Sequence, residues 1–326
     1  MTINCPLCPR RCELAENQSG VCAVRRNIQG EIVLTTAGRT TGFAADPIEK
    51  KPLFHFYPGS TVLSFGSIGC NFTCRYCQNA STAQSCDTSL LSEPVEPLQI
   101  VELAKKHHCI SIAFTYNEPV ISAEYVQEVA AVCRKNGIKT VAVSNGYLSD
   151  EARQTFFASM DAANIDLKSF SEDFYRNYCK AHLEPVKDTL KYLAKSPVWL
   201  EITTLLIPTL NDSDTEVAAL TAWIAEELGR EIPLHFSAYH PTVSDAPPST
   251  PPSTLFRARE AALSAGLRFV YTGNITDPAG ETTLCPQCRQ AVIARNRYCI
   301  EEYRIDEDGC CLLCGQTIAG MFAEDR

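Results

Sequence analysis

The chain has 326 residues, of which 45% are hydrophobic and 21% are charged, and these fractions are typical of a globular protein. The formal net charge is −9, so the chain has no overall basic character and we do not expect nucleic acid as a partner. No apolar run is long enough for a membrane span, and the first residues lack the features of a signal peptide. We therefore expect a cytoplasmic protein.

The unusual feature of the composition is the cysteine content of 17. A disulfide framework suits short secreted chains, whereas clustered cysteines in a reducing cytosol are typical of metal sites. Most of the cysteines fall into three groups along the chain. The groups are Cys5, Cys8, Cys12 and Cys22; Cys70, Cys74 and Cys77; and Cys285, Cys288, Cys311 and Cys314.

The first group lies in residues 1–40, which we predict to be an N-terminal cysteine-rich metal-binding segment. Four thiolates so close in sequence indicate either a structural zinc site or an auxiliary [4Fe–4S] cluster that relays electrons. The number of thiolates does not distinguish these two alternatives, of which we slightly favour zinc.

Residues 41–278 alternate apolar, strand-like runs with amphipathic, helix-like segments. The predicted strands are 61–66, 110–114, 139–143, 163–167, 198–207, 233–236 and 267–271. The predicted helices are 94–107, 122–135, 150–158 with Asp150 as its cap, 171–179, 185–195, 213–228 and 253–265. This alternation predicts an α/β fold with a parallel sheet, and the strand count favours a partial (βα)6 barrel over a closed one. Chemistry then belongs on the loops after the carboxyl ends of the strands. We expect the proline-dense segment 241–253 to lie over that face.

The strongest signal is the CxxxCxxC spacing of Cys70, Cys74 and Cys77, directly after the first predicted strand of this series. Three thiolates at this spacing can ligate three irons of a [4Fe–4S] cluster. Because a fourth cysteine is missing nearby, one iron keeps an open coordination position at which a cosubstrate can bind. A zinc site with a distant fourth ligand is the alternative.

The segment 69–79 resembles the radical S-adenosylmethionine (SAM) superfamily, whose hallmark is CxxxCxxC with an aromatic residue before the last cysteine. The resemblance implies that SAM binds the open iron and is cleaved reductively to methionine and a 5′-deoxyadenosyl radical, which abstracts a hydrogen atom. Segments 46–60, 205–208 and 270–274 resemble the AmmeMemoRadiSam-system radical SAM enzymes, which are relatives of pyruvate formate-lyase activating enzyme.

The resemblance extends to polar residues at successive strand ends. It implies that Asn117-Glu118-Pro119 matches the motif that binds the SAM amino group, although both glycines of that motif are replaced here. The other residues that it implies for cofactor binding are Tyr76, Ser144, Asn145, Asp166, Lys168 and His235. The period-2 spacing puts Asp166 and Lys168 on the same side of their strand. A rim salt bridge for this pair, and an ordinary core role for His235, are the structural alternatives.

Residues 279–326 contain two CxxC pairs, which predict a C-terminal zinc-ribbon-like module. The predicted ligands are Cys285, Cys288, Cys311 and Cys314, although Cys310 could replace Cys311, and rubredoxin-like iron is the alternative metal. Such a module contributes folding energy or a docking surface rather than catalysis.

Together these features predict a radical SAM oxidoreductase that takes hydrogen from a protein, in the manner of glycyl-radical activating enzymes. The expected cofactors and partners are SAM, the [4Fe–4S] cluster, zinc, and an electron donor such as flavodoxin or ferredoxin. Modification of a small molecule or nucleoside is the enzymatic alternative, and a zinc-binding interaction protein is the non-enzymatic one. The last alternative leaves the polar residues at the strand ends unexplained.

Overall fold

The computed structural model of the protein describes residues 1–241 and 246–322. The chain forms two compact units. The first comprises Met1–Asp46, Thr61–Ala163 and Tyr175–Thr189. The second comprises Pro47–Ser60, Asn164–Phe174 and Leu190–Arg326. Four residues of the predicted proline-dense loop, 242–245, lie outside the described residues.

The strands run as follows in chain order. They are β1 Ile3–Asn4, β2 Glu13–Leu14, β3 Arg25–Ile28, β4 Glu31–Leu34, β5 Phe43–Pro47, β6 Thr61–Phe65, β7 Ser111–Phe114, β8 Lys139–Ser144, β9 Ala162–Asp166, β10 Trp199–Leu206, β11 Leu234–Ala238, β12 Val270–Gly273, β13 Thr283–Leu284, β14 Ala291–Asn296 and β15 Cys299–Tyr303.

The α-helices are α1 Ala80–Ala83, α2 Pro97–Lys106, α3 Ala123–Lys135, α4 Asp150–Phe157, α5 Glu172–Phe174, α6 Glu184–Leu193, α7 Asp214–Trp223, α8 Pro252–Ser264 and α9 Pro278–Glu281. Short 3₁₀ turns cover Ile48–Lys50, Thr88–Leu90 and Pro119–Ser122, and π-helical turns cover Tyr175–Cys179 and Ile224–Leu228. No helix among the described residues has both the length and the apolar character that a bilayer crossing requires.

The first unit contains two small antiparallel hairpins, β1–β2 and β3–β4, followed by parallel pairing of β6 with β7 and of β7 with β8. All four residues of β7 are buried, as expected for a strand that is covered on both faces. Helix α3 is amphipathic, with Val126, Val129 and Cys133 among its buried residues. These elements confirm the predicted strands and helices of this region.

The cap predicted for α4 is wrong by one residue. The hydroxyl of Ser149, not Asp150, accepts the hydrogen bond from the Ala152 N–H at 3.4 Å. Asp150 instead lies in the first helical turn and forms an ion pair with Arg153 at 3.0 Å. Serine and aspartate are both common caps, so the sequence alone does not distinguish adjacent candidates.

The second unit contains the parallel strands β10, β11 and β12 in that order, and the antiparallel strands β13, β14 and β15. One hydrophobic cluster includes Phe54, Tyr271 of β12, and Cys285, Val292 and Cys311 of the C-terminal module. The cysteine-bearing hairpins therefore share a core with the parallel strands of this unit.

Candidate functional site

The loop that carries Cys70, Cys74 and Cys77 follows β6, and all three cysteines are partly exposed. The N–H of Phe72 donates to Sγ of Cys70 at 3.3 Å. A Cβ at Gly66, just before the loop, would overlap the carbonyl oxygen of Thr115, so only glycine allows the ends of β6 and β7 to approach this closely. The loop is thereby held against β7 with its thiols accessible.

Asn117, which follows β7, binds the backbone of the cysteine loop. Its Oδ1 accepts a hydrogen bond from the N–H of Ser67 at 3.0 Å, and its Nδ2 donates to the carbonyl oxygens of Ile68 at 3.2 Å and Gly69 at 3.0 Å. This side chain therefore fixes the conformation of the segment that leads directly into Cys70.

Glu118 links the end of β7 to the end of β8. Its carboxylate is buried and accepts hydrogen bonds from the hydroxyl of Ser144 at 2.7 Å, the N–H of Asn145 at 2.7 Å and the N–H of Val120 at 3.1 Å. Hydrogen bonds to a charged acceptor are the stronger kind, so this carboxylate holds the Ser144-Asn145 turn firmly.

Asn145 closes a ring of amide contacts behind Cys70. Its Nδ2 donates to Oδ1 of Asn71 at 2.8 Å and lies 3.9 Å from Sγ of Cys70. Asn71 in turn donates to the carbonyl oxygen of Tyr147 at 3.0 Å. The structure thus brings together Cys70, Asn117, Glu118, Ser144 and Asn145. Asn71 is a further residue of this network, which we did not predict; its place between two cluster cysteines was the available signal.

Tyr76 is buried beside the cysteine loop. Its ring stacks on the ring of Tyr178 with centroids 5.9 Å apart, and the guanidinium of Arg75 lies 5.6 Å from the Tyr76 centroid. Arg75 also donates its backbone N–H to the carbonyl oxygen of Tyr178 at 2.9 Å. These contacts hold the second half of the loop on the segment 175–179.

A family model described as the radical SAM superfamily matches residues 66–221, a range that contains this entire network. Over 319 residues the chain is 40% identical to the uncharacterized protein MJ0808 of Methanocaldococcus jannaschii. The aligned region covers 97% of this chain and 95% of that protein. The chain belongs to the radical SAM superfamily. It is therefore an enzyme of the class that uses a [4Fe–4S] cluster and SAM, and the predicted α/β fold with a parallel sheet is confirmed.

Two more distant similarities were also found, one in sequence and one in fold. The chain is 24% identical over 190 residues to pyruvate formate-lyase 1-activating enzyme of Escherichia coli K12, with 56% of this chain and 75% of that protein covered. Its fold is similar to that of a radical SAM methyltransferase from Sphaerobacter thermophilus, with a TM-score of 0.53, 13% identity and 67% of each chain covered.

Asp166 and Lys168 belong to the second unit of this radical SAM enzyme. They form an ion pair of 2.9 Å, which confirms that both side chains point to the same side. The carbonyl oxygen of Lys168 accepts a hydrogen bond from Nδ2 of Asn211 at 2.7 Å. The pair thus has a partner within the chain, and its predicted contact with SAM stays a prediction.

His235 also belongs to the second unit, where its Nε2 lies 2.6 Å from a carboxylate oxygen of Glu201. Glu201 is fully buried and accepts the backbone N–H groups of Phe54 at 3.0 Å and His55 at 2.8 Å. Burial would raise the pKa of Glu201, but the hydrogen bond from His235 holds it below its usual value. We did not predict Glu201; a lone carboxylate within the apolar strand 198–207 was the available signal.

A second buried pair, His55 and Tyr271, lies next to this carboxylate. Nε2 of His55 is 2.5 Å from the hydroxyl of Tyr271, and its Nδ1 is 2.6 Å from the carbonyl oxygen of Ala319. Burial lowers the pKa of His55 to about 4, so the ring is neutral near neutral pH. His55 therefore joins β12 to the C-terminal module.

The four N-terminal cysteines come together in the first unit, where all of them line one small cavity. Burial, followed by the negative charges of Cys5, Cys12 and Cys22, raises the pKa of the Cys8 thiol to about 11.

The four C-terminal cysteines form a compact group whose sulfur atoms all lie within 4.8 Å of one another. Sγ of Cys285 is 3.5 Å from Sγ of Cys314, and Sγ of Cys288 is 3.9 Å from Sγ of Cys311. Cys310 does not belong to this group, because its Sγ lies 3.6 Å from the hydroxyl of Thr317. The predicted set with Cys311 is therefore the one that the structure brings together.

Proposed function

We propose that this enzyme cleaves SAM reductively at a [4Fe–4S] cluster held by Cys70, Cys74 and Cys77, and that the 5′-deoxyadenosyl radical takes a hydrogen atom from a protein. The observation that carries this proposal is the amide network through Asn117 and Asn145, which fixes the cysteine loop to the ends of β7 and β8. A purely structural loop would not need three partly exposed thiols at the carboxyl edge of a parallel sheet.

The residues around Cys70 fit an iron–sulfur cluster chemically. Thiolates are the usual ligands of such clusters, and hydrogen bonds to their sulfur atoms tune the reduction potential. Here the Phe72 N–H donates to Sγ of Cys70, and the amide of Asn145 lies close to the same sulfur. When bound, the cluster supplies the electron that cleaves SAM.

The proposal gives the surrounding residues two kinds of role. Asn117, Glu118, Ser144 and Asn145 hold the cysteine loop through the hydrogen bonds described above, and their backbone atoms offer polar contacts to SAM. We propose further SAM contacts from Tyr76, Asp166, Lys168 and His235. In this structure Lys168 is paired with Asp166, and Nε2 of His235 lies 2.6 Å from a carboxylate oxygen of Glu201.

A protein substrate is supported by the similarity to several activating enzymes, including pyruvate formate-lyase 1-activating enzyme and 4-hydroxyphenylacetate decarboxylase activating enzyme. A small-molecule substrate is the second candidate, and one observation favours it. The second unit contains a cavity of about 320 Å³ whose lining includes Glu49, His235, Asn274 and Tyr298. Such a volume suits a small ligand with polar groups.

The same proposal includes the domain boundaries, the C-terminal metal, the cellular location and the electron donor that the sequence predicts. The chain divides into a metal-binding segment 1–40, a partial barrel 41–278 and a zinc-ribbon-like module 279–326 with zinc on Cys285, Cys288, Cys311 and Cys314. The enzyme works in the cytoplasm with a donor such as flavodoxin or ferredoxin. Sulfur separations of 3.5 and 3.9 Å support a single tetrahedral ion at the C-terminal site.

The first test compares Cys74→Ala with Cys86→Ala after anaerobic reconstitution with iron and sulfide. Cys86 is an exposed cysteine outside the three groups, so its replacement controls for the loss of a thiol. We expect wild type and Cys86→Ala to form 5′-deoxyadenosine from SAM under reducing conditions. Cys74→Ala should form none and should lose about four irons per chain, because one cluster ligand is missing.

Equal 5′-deoxyadenosine formation by the Cys74→Ala variant would show that the cluster is elsewhere. The substrate class is tested with SAM and candidate partners present: a glycyl radical signal in electron paramagnetic resonance (EPR) spectra supports a protein substrate. Deuterium transfer from a labelled small molecule into 5′-deoxyadenosine supports the second candidate instead.

A further inference from the structure

The cavity of about 320 Å³ in the second unit lies at the carboxyl ends of two parallel strands. Ser237 belongs to β11, Gly273 ends β12 and Asn274 follows it, and all three line the cavity. In parallel α/β folds the ligands bind at this end of the strands. The position and the volume therefore suit a small substrate or one side chain of a larger one.

The buried ionisable residues of this cavity lining are Glu49, His235 and Glu281, with 2%, 4% and 6% of each residue exposed. Oε1 of Glu49 accepts the N–H of Gly59 at 2.8 Å and lies 3.7 Å from Nε of Arg295. The buried Oε2 of Glu49 has no hydrogen-bond partner within the part of the chain that the structure describes. An unpaired buried acceptor is costly, so a hydrogen-bond donor is missing beside this carboxylate.

The negative charge of the two carboxyl groups is only partly offset by the protein. Burial raises the pKa of Glu49 despite the nearby Arg295 guanidinium, and burial also raises the pKa of Glu281. Lys50 and Arg297 line the cavity as well, but both are exposed, so water and salt screen their charge. A cation that enters the cavity would supply the missing compensation.

His235 adds a third acceptor to the lining. Its Nε2 lies 2.6 Å from the buried carboxylate of Glu201, which the same hydrogen bond keeps ionised by lowering its pKa. When Nε2 carries the proton that Glu201 accepts, Nδ1 of the neutral ring is an acceptor. Among the described residues Nδ1 has no hydrogen-bond partner. Glu201 is thus a positioning residue that leaves Nδ1 for a ligand.

The missing cation is organic rather than a metal ion. Among residues 1–241 and 246–322, the C-terminal cysteines are the only set of three or more His, Cys, Asp or Glu residues whose ligand atoms lie within 4.8 Å of one another. Glu49, His235 and Glu281 are therefore too far apart to share one metal ion as a set. An ammonium group on a carbon chain has three donors and can bind carboxylate and imidazole acceptors that are more widely spaced.

From these observations we propose that the cavity binds a protonated amino group of the substrate through Glu49, Glu281 and Nδ1 of His235. This inference rests on the proposed function in one respect, since it takes the ligand to be the molecule that gives up the hydrogen atom. It assigns His235 to the substrate rather than to SAM. The amino group can belong to a free amine or to a lysine side chain of a protein substrate.

The charge preference of the cavity is tested first on the wild-type protein. Pentylamine, which is protonated near neutral pH, is added to the full-length, reconstituted protein under anaerobic conditions, and binding is measured by equilibrium dialysis. We expect saturable binding at one site per chain. Pentanol and pentanoate have the same chain without the positive charge and should not bind at the same concentrations. Equal binding of pentanol, or no saturable binding of pentylamine, would overturn the proposal.

The site is located with two variants and a matched control. Glu49→Gln and Glu281→Gln should each weaken pentylamine binding by at least about tenfold, because each removes one charge-assisted hydrogen bond. Glu260→Gln changes an exposed carboxylate on α8 of the same unit and should bind as wild type does. Two folded variants that bind like wild type would contradict the assignment. Circular dichroism reports folding, and the charge preference of wild type decides the matter if a variant does not fold.

The source of the amino group is tested by competition. A glycyl-lysyl-glycine peptide with blocked ends should displace labelled pentylamine if a lysine side chain of a protein can enter the cavity. The same peptide with glutamine in place of lysine is the control. Displacement by the lysine peptide assigns the group to a protein substrate, and displacement by free amines alone assigns it to a small molecule.

Failure of the proposed function would look different from failure of this inference. In the first case Cys74→Ala would form 5′-deoxyadenosine as wild type does, while pentylamine binding would still depend on Glu49. In the second case 5′-deoxyadenosine formation would depend on Cys74, while the cavity would show no preference for the ammonium group.

Discussion

Asn117 acts on the central cysteines through the backbone, since its amide makes three hydrogen bonds to residues 67–69. Its side chain therefore stabilises the loop through these three hydrogen bonds. Glu118 and Asn145 act in the same way on the Ser144 turn and on Asn71. At this scale the polar residues of the radical SAM motifs are the framework of the cysteine loop as well as candidates for SAM contact.

Replacement of Asn117 by aspartate tests this role with almost no change in shape. The new carboxylate oxygen would face the carbonyl oxygens of Ile68 and Gly69, and each lost hydrogen bond at this partly buried side chain costs about 0.5–1.5 kcal/mol. We expect Asn117→Asp to retain less iron at the central site and to form less 5′-deoxyadenosine. Asn136→Asp, at the exposed end of α3, is the control and should behave as wild type. Full iron content in Asn117→Asp would contradict this role.

The central residues were predictable because their signal is local spacing: three cysteines and the strand-end motifs are short patterns in the sequence. Glu201 was not, because its partners His55 and His235 are distant in sequence and meet it only through the packing of the second unit. The choice of Cys311 over Cys310 likewise depends on the register of two hairpins. Residues that function through contacts distant in sequence produce no short sequence motif from which their role could be predicted.

Among the elements, β10, β11 and β12 combine apolar packing with a buried polar system. His235 on β11 is in register with Tyr271 on β12, and Glu201 lies on β10. The segment that contains His55 connects these strands to the C-terminal module through Tyr271 and Ala319. The strands were predictable from their apolar runs, whereas this cross-strand polar system was not.

The buried His55 makes the stability of the second unit depend on pH. Its pKa is lowered from 6.5 to about 4, so as the pH falls the unfolded state takes up the proton first. The contribution of His55 to the unfolding free energy is therefore complete above pH 6.5 and decreases as the pH falls towards 4. The largest decrease is about 3 kcal/mol, at about 1.4 kcal/mol per pKa unit.

Thermal denaturation at about pH 7.5 and about pH 5.5 measures this effect. Between these two pH values we expect the melting temperature to fall further in wild type than in His55→Gln, because the glutamine cannot be protonated. A His55→Gln variant with the same pH dependence as wild type would assign the effect to other groups. The absolute stability of the variant at neutral pH does not enter this comparison.

For the whole molecule, the three cysteine groups are divided between the two compact units. The N-terminal and central groups belong to the first unit, and the C-terminal group belongs to the second. Cys285 and Cys311 are part of the core that contains Phe54 and Tyr271. Metal binding at the C-terminal group should therefore stabilise the second unit as a whole, because a structural metal contributes folding energy.

The variants Cys314→Ala and Cys310→Ala distinguish a ligand of this metal from a neighbouring cysteine that does not bind it. We expect Cys314→Ala to lose zinc and to melt at a lower temperature, while it keeps the iron of the central site. Cys310→Ala should keep its zinc, because the Cys310 sulfur contacts Thr317 rather than the cysteine group. Loss of zinc in Cys310→Ala would contradict the ligand set, and zinc counting by mass spectrometry is the measurement.

The contact between Gly69 and Cys22 has a practical consequence for anyone who prepares shortened forms of this enzyme. The first residues cover one side of the central cysteine loop, so we expect a fragment that starts at the partial barrel to expose that side of the loop to oxygen and solvent. Such a fragment would be isolated colourless, and its inactivity would say nothing about the chemistry of the complete chain.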